Sequence, residues 1–140
     1  MTPISYQLNQ TISVTTFQGL LYRSTLAERR PVDNTECIQG MLQNTNLMIS
    51  AWCKGELIGI ARCVTDFYYC CYLSDLAVDQ RFQKKGVGKK LQEKVLAQLN
   101  PSCKLILIAA PKANTYYRQL GYEHNERCWV LDADRRIKTT

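Results

Sequence analysis

The sequence predicts one α/β domain, and three observations support this fold class. The chain has 140 residues, 46% hydrophobic and 21% charged, a composition typical of a compact domain with a sizeable core. No internal repeat, low-complexity run or Gly/Ser linker divides it, so we expect residues 1–140 to form a single domain. Segments with helical spacing of apolar residues are interspersed with strand-like segments along its length.

The first third of the chain predicts a short strand followed by two helices. Residues 5–8 are a strand candidate. Ser13 is suited to cap a helix from about Val14 to Ala27, because its hydroxyl can accept an unpaired N–H of the first turn. Asp33 or Asn34 can cap a second helix, which we expect to end near Gln43.

The middle of the chain predicts three strands. Leu47–Cys53 and Glu56–Thr65 are rich in apolar residues and flank Lys54-Gly55, a two-residue turn that is typical of a β-hairpin. Tyr68–Val78 has the aromatic and branched residues of a third strand.

The second half predicts further helices and strands. A helical pattern begins at Gly88 and continues to Leu99. The unbroken apolar run from Leu105 to Ala110 indicates a central strand covered on both faces. A short helix from about Lys112 to Leu120 should end at Gly121 in a left-handed conformation, and Cys128–Leu131 indicates a last strand.

The most informative segment joins the third strand to the helix that begins near Gly88. Leu76-Ala77-Val78 ends the strand, and Gln83-Lys84-Lys85-Gly86-Val87-Gly88 leads into the helix. A helix N-terminus presents unpaired N–H groups and a partial positive charge, and glycines let an anion approach them. The segment therefore predicts a phosphate site. It lacks the glycine spacing of a P-loop and of a dinucleotide fingerprint.

With two ordered motifs, the chain resembles the GNAT superfamily of acetyl-CoA-dependent N-acetyltransferases. The Gln83–Gly88 segment matches the pattern Q/R-x-x-G-x-G/A of the family's pyrophosphate loop, and Val78 precedes it at the family's spacing. Residues 113–122, Ala-Asn-Thr-Tyr-Tyr-Arg-Gln-Leu-Gly-Tyr, match the second element, A-x-x-F/L-Y-x-x-x-G-F/Y. The segment Tyr72–Val78 is similar to small bacterial members, some related to arylalkylamine or serotonin acetyltransferases.

The resemblance implies a fold and a cofactor. The fold is a mixed, mostly antiparallel sheet of six to seven strands flanked by about four helices. In it the strand ending at Val78 and the Leu105–Ala110 strand run parallel and splay apart. The cofactor is acetyl-CoA, and no metal is expected. The implied cofactor-binding residues are Leu76, Ala77, Val78, Gln83, Lys84, Lys85, Gly86, Val87, Gly88, Lys89, Asn114 and Tyr117.

The resemblance also suggests which residues act in acetyl transfer. Tyr117 is the candidate general acid that returns a proton to the departing thiolate, with a role as a core aromatic residue as the alternative. Asp75 is the catalytic candidate for removing the proton of the amine. Asp66, His124 and a water relay ending near Ser74 are the alternatives. Where many members have an asparagine, this chain has Ala110, and Asn114 is not its aligned equivalent.

The acceptor predicted from the sequence is a small primary amine. Aromatic residues in the middle of the chain could bind it by stacking or cation–π contact, and strand alternation places some of them in the core instead. These residues are Trp52, Phe67, Tyr68, Tyr69 and Tyr72. A peptide or protein acceptor, a non-catalytic acyl-CoA sensor, and a nucleic-acid-binding module with a lysine stripe are the other hypotheses.

The remaining expectations concern compartment and partners. Seven cysteines, an odd number without C-x-x-C spacing, together with a single histidine argue for reduced thiols and against a zinc site. The sequence shows neither a signal peptide nor a membrane-spanning run, so we expect a cytoplasmic protein without a membrane partner. Despite the net charge of +6 we expect no nucleic-acid partner, and a homodimer is left open.

Overall fold

The computed structural model describes residues 2–139, which fall into two compact units, one up to Leu107 and one from Ile108 onward. Each unit is described by itself. The first unit holds a five-stranded sheet and three α-helices, and the second holds one short α-helix. The extent of the functional domain, residues 1–140, stays a prediction.

The sheet of the first unit is mixed and mostly antiparallel. Its strands are β1 (Ser5–Leu8), β2 (Leu47–Cys53), β3 (Glu56–Thr65), β4 (Cys70–Val78) and β5 (Lys104–Ile106), and they lie side by side in chain order. The first four pair antiparallel, and β5 pairs parallel with β4. This confirms the predicted fold class.

Helices lie on both sides of this sheet. The helices of the first unit are α1 (Val14–Arg23), α2 (Thr35–Gln43) and α3 (Val87–Leu96), and the second unit contains α4 (Asn114–Gln119). Ser13 caps α1 and Asn34 caps α2 with their side chains, as predicted. The four α-helices of the described residues agree with the expected number.

The helix predicted to reach Ala27 ends at Arg23 instead. Thr25 takes a left-handed φ of 71°, which interrupts the helix, and Leu26–Arg29 continues as a separate 3-10 turn. The strand predicted from Tyr68 begins at Cys70. Oδ1 of Asp66 accepts the N–H groups of residues 68, 69 and 70, so the chain turns there before it can pair.

Two predicted strands differ from the structure: the first is shorter than expected, and the second, which is absent, accounts for the smaller sheet. The apolar run Leu105–Ala110 is not a central strand, because β5 has only three residues and lies at the edge of the sheet. A continuous apolar run says little about where pairing ends. The predicted strand at Cys128–Leu131 is absent from the described residues, and Trp129 is 90% exposed. Five strands therefore replace the six to seven expected.

The core consists of two apolar clusters on opposite faces of the sheet. One contains Leu91 and Val95 of α3, and the other contains Phe17 of α1 and Ile38 of α2. The packing of α3 is close at Gly59. A Cβ atom there would lie 3.2 Å from Val87 and from Leu91, so any larger residue would force these side chains to give way by a few tenths of an ångström.

Candidate functional site

Strand β4 has an edge that its neighbours leave open. Its pairing with β5 extends only from Cys70 to Tyr72, and no other described strand continues it toward Val78. The N–H of Asp79 donates to Ile58 O of β3 at 2.8 Å. Because hydrogen bonding alternates along an antiparallel pair, Ala77 also faces β3, whereas Leu76 and Val78 direct their N–H and C=O groups to the open edge.

The segment that follows this edge turns sharply into α3. Lys84 and Gly86 both adopt left-handed conformations, with φ of 62° and 83°. The first intrahelical bond joins Lys90 N–H to Gly86 O at 3.0 Å, so the N–H groups of Val87, Gly88 and Lys89 have no partner within the helix. They present the positive end of the helix dipole, and a Cβ on Gly86 would meet only open space.

Side chains fix the loop before α3 from both ends. Nε2 of Gln83 donates to Val78 O at 2.9 Å, which ties the loop to the end of β4. Arg81 and Lys85 lie over the Phe82 ring, 5.6 Å and 5.7 Å from its centroid. Lys84, Lys85 and Lys89 are exposed and add positive charge around the helix N-terminus.

Asp79 anchors the end of β4. Its buried carboxylate accepts Nε of Arg23 and Nη2 of Arg81, each at 2.8 Å, and also the N–H of Arg81 at 2.9 Å. These bonds, those from the Arg81 side chain above all, lower the pKa of Asp79 to about 2. Arg23 also donates to Leu57 O at 2.7 Å, so α1, β3 and the loop meet at one carboxylate.

Tyr117 lies in the second unit, on α4. Its half-buried ring packs edge-on against Tyr116, with centroids 5.1 Å apart, and against Tyr122, at 5.4 Å. Burial raises the pKa of the Tyr117 phenol to about 12, with a smaller effect from Tyr116. Asn114 is the first residue of α4 and is exposed. Gly121 has φ of 99°, the left-handed conformation predicted for it.

The three side chains considered as general bases differ in their surroundings. Both oxygens of Asp75 are ion-paired inside the first unit, one with Arg30 Nε at 2.6 Å and one with Arg62 Nε at 2.5 Å. Asp66 accepts three backbone N–H bonds, that of Tyr69 foremost, and they lower its pKa. His124 is exposed in the second unit.

The aromatic residues of the first unit are dispersed. Trp52 and Phe67 pack against different apolar clusters, on opposite faces of the sheet. The Tyr69 ring lies 4.3 Å from Lys104 Nζ, which also donates to its hydroxyl at 3.1 Å. Tyr68 and Tyr72 remain exposed. Tyr72 follows Cys71 and precedes Leu73, which both pack beside α3, so strand alternation places it on the opposite face.

The sequence interpretation missed Arg30 and Arg62. They converge on Asp75 from positions 45 and 13 residues away in the chain. The one signal was the presence of Arg62 and Asp75 within otherwise apolar strands, where buried charges need partners.

Two other features are absent from residues 2–139, a cluster of metal ligands and a helix suited to cross a membrane. Within residues 2–139, no three or more His, Cys, Asp or Glu side chains are grouped so that they could hold a metal ion. None of the helices described is both long and apolar enough to cross a membrane.

The comparison with protein families shows the family of the chain. A family model described as an acetyltransferase (GNAT) domain matches residues 22–130. The chain belongs to the GNAT acetyltransferase family. The match includes both motifs and confirms the resemblance found in the sequence, so the chain is a GNAT acetyltransferase domain.

Curated relatives match parts of this GNAT domain. GCN5-related N-acetyltransferase 1, chloroplastic, of Arabidopsis thaliana is 29% identical over 98 residues, which are 66% of this chain and 49% of that protein. Histone acetyltransferase TAP1 of Glycine max is 35% identical over 70 residues, 49% of this chain and 30% of that protein. The chain thus spans half or less of the length of these two relatives.

Solved structures share the fold of the GNAT domain over nearly its whole length. A GNAT family acetyltransferase of Streptococcus pneumoniae has a TM-score of 0.73 at 19% identity, covering 92% of this chain and 98% of that one. Aminoglycoside N-acetyltransferase AAC(6')-Iy, solved in complex with CoA, has a TM-score of 0.72 at 20% identity, covering 96% and 97%. At these identities the likeness concerns the fold.

Proposed function

We propose that this GNAT domain transfers an acetyl group from acetyl-CoA to a primary amine of a small molecule by direct attack. The observation that carries the proposal is the open edge of β4 next to the unpaired N–H groups of α3. An extended chain that ends in a diphosphate complements such a surface, because the edge pairs with amides and the helix N-terminus binds anions. Acetyl-CoA has this chemistry, and AAC(6')-Iy was solved with CoA bound.

Each part of the coenzyme has its proposed partners. Leu76 offers its C=O to the pantetheine amides, and Val78 offers its N–H, since its C=O already accepts Gln83. Ala77 faces β3 and serves to space these two residues. The N–H groups of Gly86, Val87, Gly88 and Lys89 hold the diphosphate, and Lys84 and Lys85 add longer-range attraction. Asn114 remains a proposed contact from the second unit.

The thioester needs a donor at its carbonyl and a proton for its sulfur. We assign the first role to the Leu76 N–H, because a fixed donor stabilises the oxyanion that forms when the amine attacks. We assign the second to Tyr117, whose pKa of about 12 keeps its hydroxyl protonated at neutral pH. Transfer from such a phenol to a thiolate of pKa near 8.5 costs about 5 kcal/mol, well within the barrier of an ordinary enzymatic step.

The proton of the amine is proposed to leave through water. The ion pairs of Asp75 occupy both of its oxygens, and the lowered pKa of Asp66 makes it a poor base. An alkyl amine is neutral in only about one part per thousand at pH 7, so the neutral form is selected from solution. Turnover at subsaturating acceptor should therefore rise with pH toward the pKa of the amine.

Two acceptor classes have support, and the small molecule is preferred. AAC(6')-Iy, with 22% identity and a TM-score of 0.68 in a second structure, binds an analogue in which CoA is joined to acetylneamine. A protein acceptor is the second candidate, because the relative from Glycine max is named a histone acetyltransferase. A panel of aminoglycosides, arylalkylamines, polyamines and histone peptides separates the two.

The test compares Tyr117→Phe with Tyr116→Phe. The second variant is the matched control, because phenylalanine is a residue that the family motif allows at that position. We expect Tyr117→Phe to lower kcat by about 100-fold or more, the usual contribution of a positioned acid, with CoA affinity unchanged. Because the chain has seven cysteines, none in a disulfide in the described structure, CoA release should be followed by chromatography and not by a thiol reagent.

The outcomes distinguish the hypotheses. Equal turnover in both variants would remove Tyr117 from the mechanism. CoA binding without turnover across the whole panel would favour an acyl-CoA sensor. Steeply salt-dependent binding to DNA or RNA, without stabilisation by CoA, would favour a nucleic-acid-binding module.

A further inference from the structure

Strand β4 contains a bulge two residues before Leu76. Arg62 of β3 pairs with Asp75, whereas the next residue, Cys63, pairs with Leu73, so Ser74 is an extra residue on β4. Leu73 therefore packs in the cluster beside α3, while Asp75 lies on the opposite face with Arg62. A bulge bends a strand and leaves its extra residue outside the regular ladder, so other groups must bind it.

Two arginines supply those groups, and each binds in two places. Nε of Arg30 binds Asp75 Oδ1 at 2.6 Å while its Nη2 donates to Ser74 O at 2.8 Å. Nε of Arg62 binds Asp75 Oδ2 at 2.5 Å while its Nη2 donates to Ser74 Oγ at 2.9 Å. The planar fork of each guanidinium thus spans the carboxylate and the bulged residue.

The surroundings make this arrangement rigid. The side chains of Asp75 and Arg62 are 0% and 6% exposed, so both ions depend on protein partners in place of water. Nη1 of Arg62 donates to Met41 O at 3.2 Å and to Thr45 Oγ1 at 3.1 Å, which ties the bulge to the end of α2. Removing one partner of such a network leaves a buried charge and a carbonyl unsatisfied.

We propose that the Arg30–Asp75–Arg62 cluster is a positioning device for the Leu76 N–H. By fixing the Ser74 bulge, the cluster sets the direction in which the next residues of β4 present their amides along the open edge. This inference rests on the proposed function, in which that N–H binds the thioester carbonyl. Asp75 acts through the bulge and not as a base.

The test uses Arg30, because it is the most exposed member of the cluster, with 24% of its side chain exposed. We expect Arg30→Ala to lower kcat about 10- to 100-fold, since a misplaced oxyanion donor loses most of its effect. The KM for acetyl-CoA should change little, because the diphosphate is held at α3. Arg29→Ala is the matched control: it removes the same charge from the neighbouring, exposed arginine.

Chemical rescue separates positioning from general destabilisation. Millimolar guanidinium should enter the vacated site and restore part of kcat in Arg30→Ala, whereas methylammonium at equal ionic strength should not, since it lacks the two-point fork. Arg30→Lys, which keeps the charge, should stay impaired for the same reason. Unchanged kcat in both Arg30 variants, or equal rescue by the two cations, would overturn the inference.

A second measurement does not depend on turnover. Amide hydrogen exchange at Ala77, the neighbour of Leu76 whose N–H faces β3, should accelerate in Arg30→Ala and slow again with guanidinium, while amides of β2 remain unchanged. If the unmodified protein shows no turnover but Ala77 responds in this way, the proposed function fails and the positioning stands. If Ala77 does not respond, the positioning fails whatever the activity.

Discussion

Replacing Asp79 by asparagine removes a charge that three elements share. The carboxylate is 2% exposed and binds both Arg23 and Arg81 at 2.8 Å. Its pKa lies near 2 in the folded chain, against an ordinary value of 3.8. That difference corresponds to about 2 kcal/mol of stability at neutral pH, which Asp79→Asn should lose.

The contribution of Asp79 to the free energy of unfolding should depend on pH. Because folding lowers the pKa of Asp79, its contribution is complete above about pH 5 and is lost as protons bind at lower pH. About half of it should be gone at pH 3. The free energy of unfolding, measured with urea and tryptophan fluorescence, should therefore differ most between the unmodified protein and the variant near pH 7, and the difference should narrow toward pH 3.

Asp132→Asn is the control, because it makes the same chemical change at an exposed carboxylate in the second unit. It should leave the free energy of unfolding within about 0.5 kcal/mol at every pH. A difference between Asp79→Asn and the unmodified protein that stays constant from pH 7 to pH 3 would refute the electrostatic explanation. The loss would then come from packing or from the hydrogen bonds alone.

Three further predictions concern single positions. Gly86→Ala should lower the free energy of unfolding by about 1–2 kcal/mol, because Gly86 has a φ of 83° that alanine adopts only with strain. It should also weaken CoA binding, measured by calorimetry, and unchanged affinity would contradict the assignment of the loop. Asn34→Ala should cost about 1 kcal/mol in urea unfolding, since the Asn34 side chain accepts the Cys37 N–H at 3.1 Å, with no effect on CoA affinity. In a titration followed by absorbance at 295 nm, which reports tyrosine ionisation, the absorbance of the unmodified protein should exceed that of Tyr117→Phe only slightly up to pH 11. Tyr117, with its pKa of about 12, should still be mostly protonated there, whereas an ordinary tyrosine is about nine-tenths ionised.

Local chemistry made most of the first unit predictable. The β2–β3 hairpin could be predicted to the residue, because Lys54 and Gly55 both adopt the positive φ that a tight hairpin turn requires. The caps Ser13 and Asn34 could be predicted because serine and asparagine are residue types that favour the N-terminus of a helix. The Gln83–Gly88 loop, which is proposed to hold the cofactor, could be located by its motif, although nothing local shows that Lys84 is left-handed.

The features that the sequence did not show depend on contacts between distant residues. The run Leu105–Ala110 is apolar enough for a central strand, but pairing with β4 ends at Ile106, and no local property marks that position. Asp75 was predicted as a base because of its place near the end of β4. Its two arginines come from other elements, and only the folded chain brings them to its oxygens.

The absence of a side chain at Gly59 has a mechanical consequence. Val87 and Leu91, the residues that a methyl group there would touch, occupy the first two turns of α3, the same turns whose free N–H groups are proposed to bind the diphosphate. The missing side chain at Gly59 therefore lets the sheet approach the end of α3 that is proposed to bind the anion. A methyl group there would force Val87 and Leu91 to give way by a few tenths of an ångström, so a residue outside the proposed coenzyme site helps to set the position of that helix end.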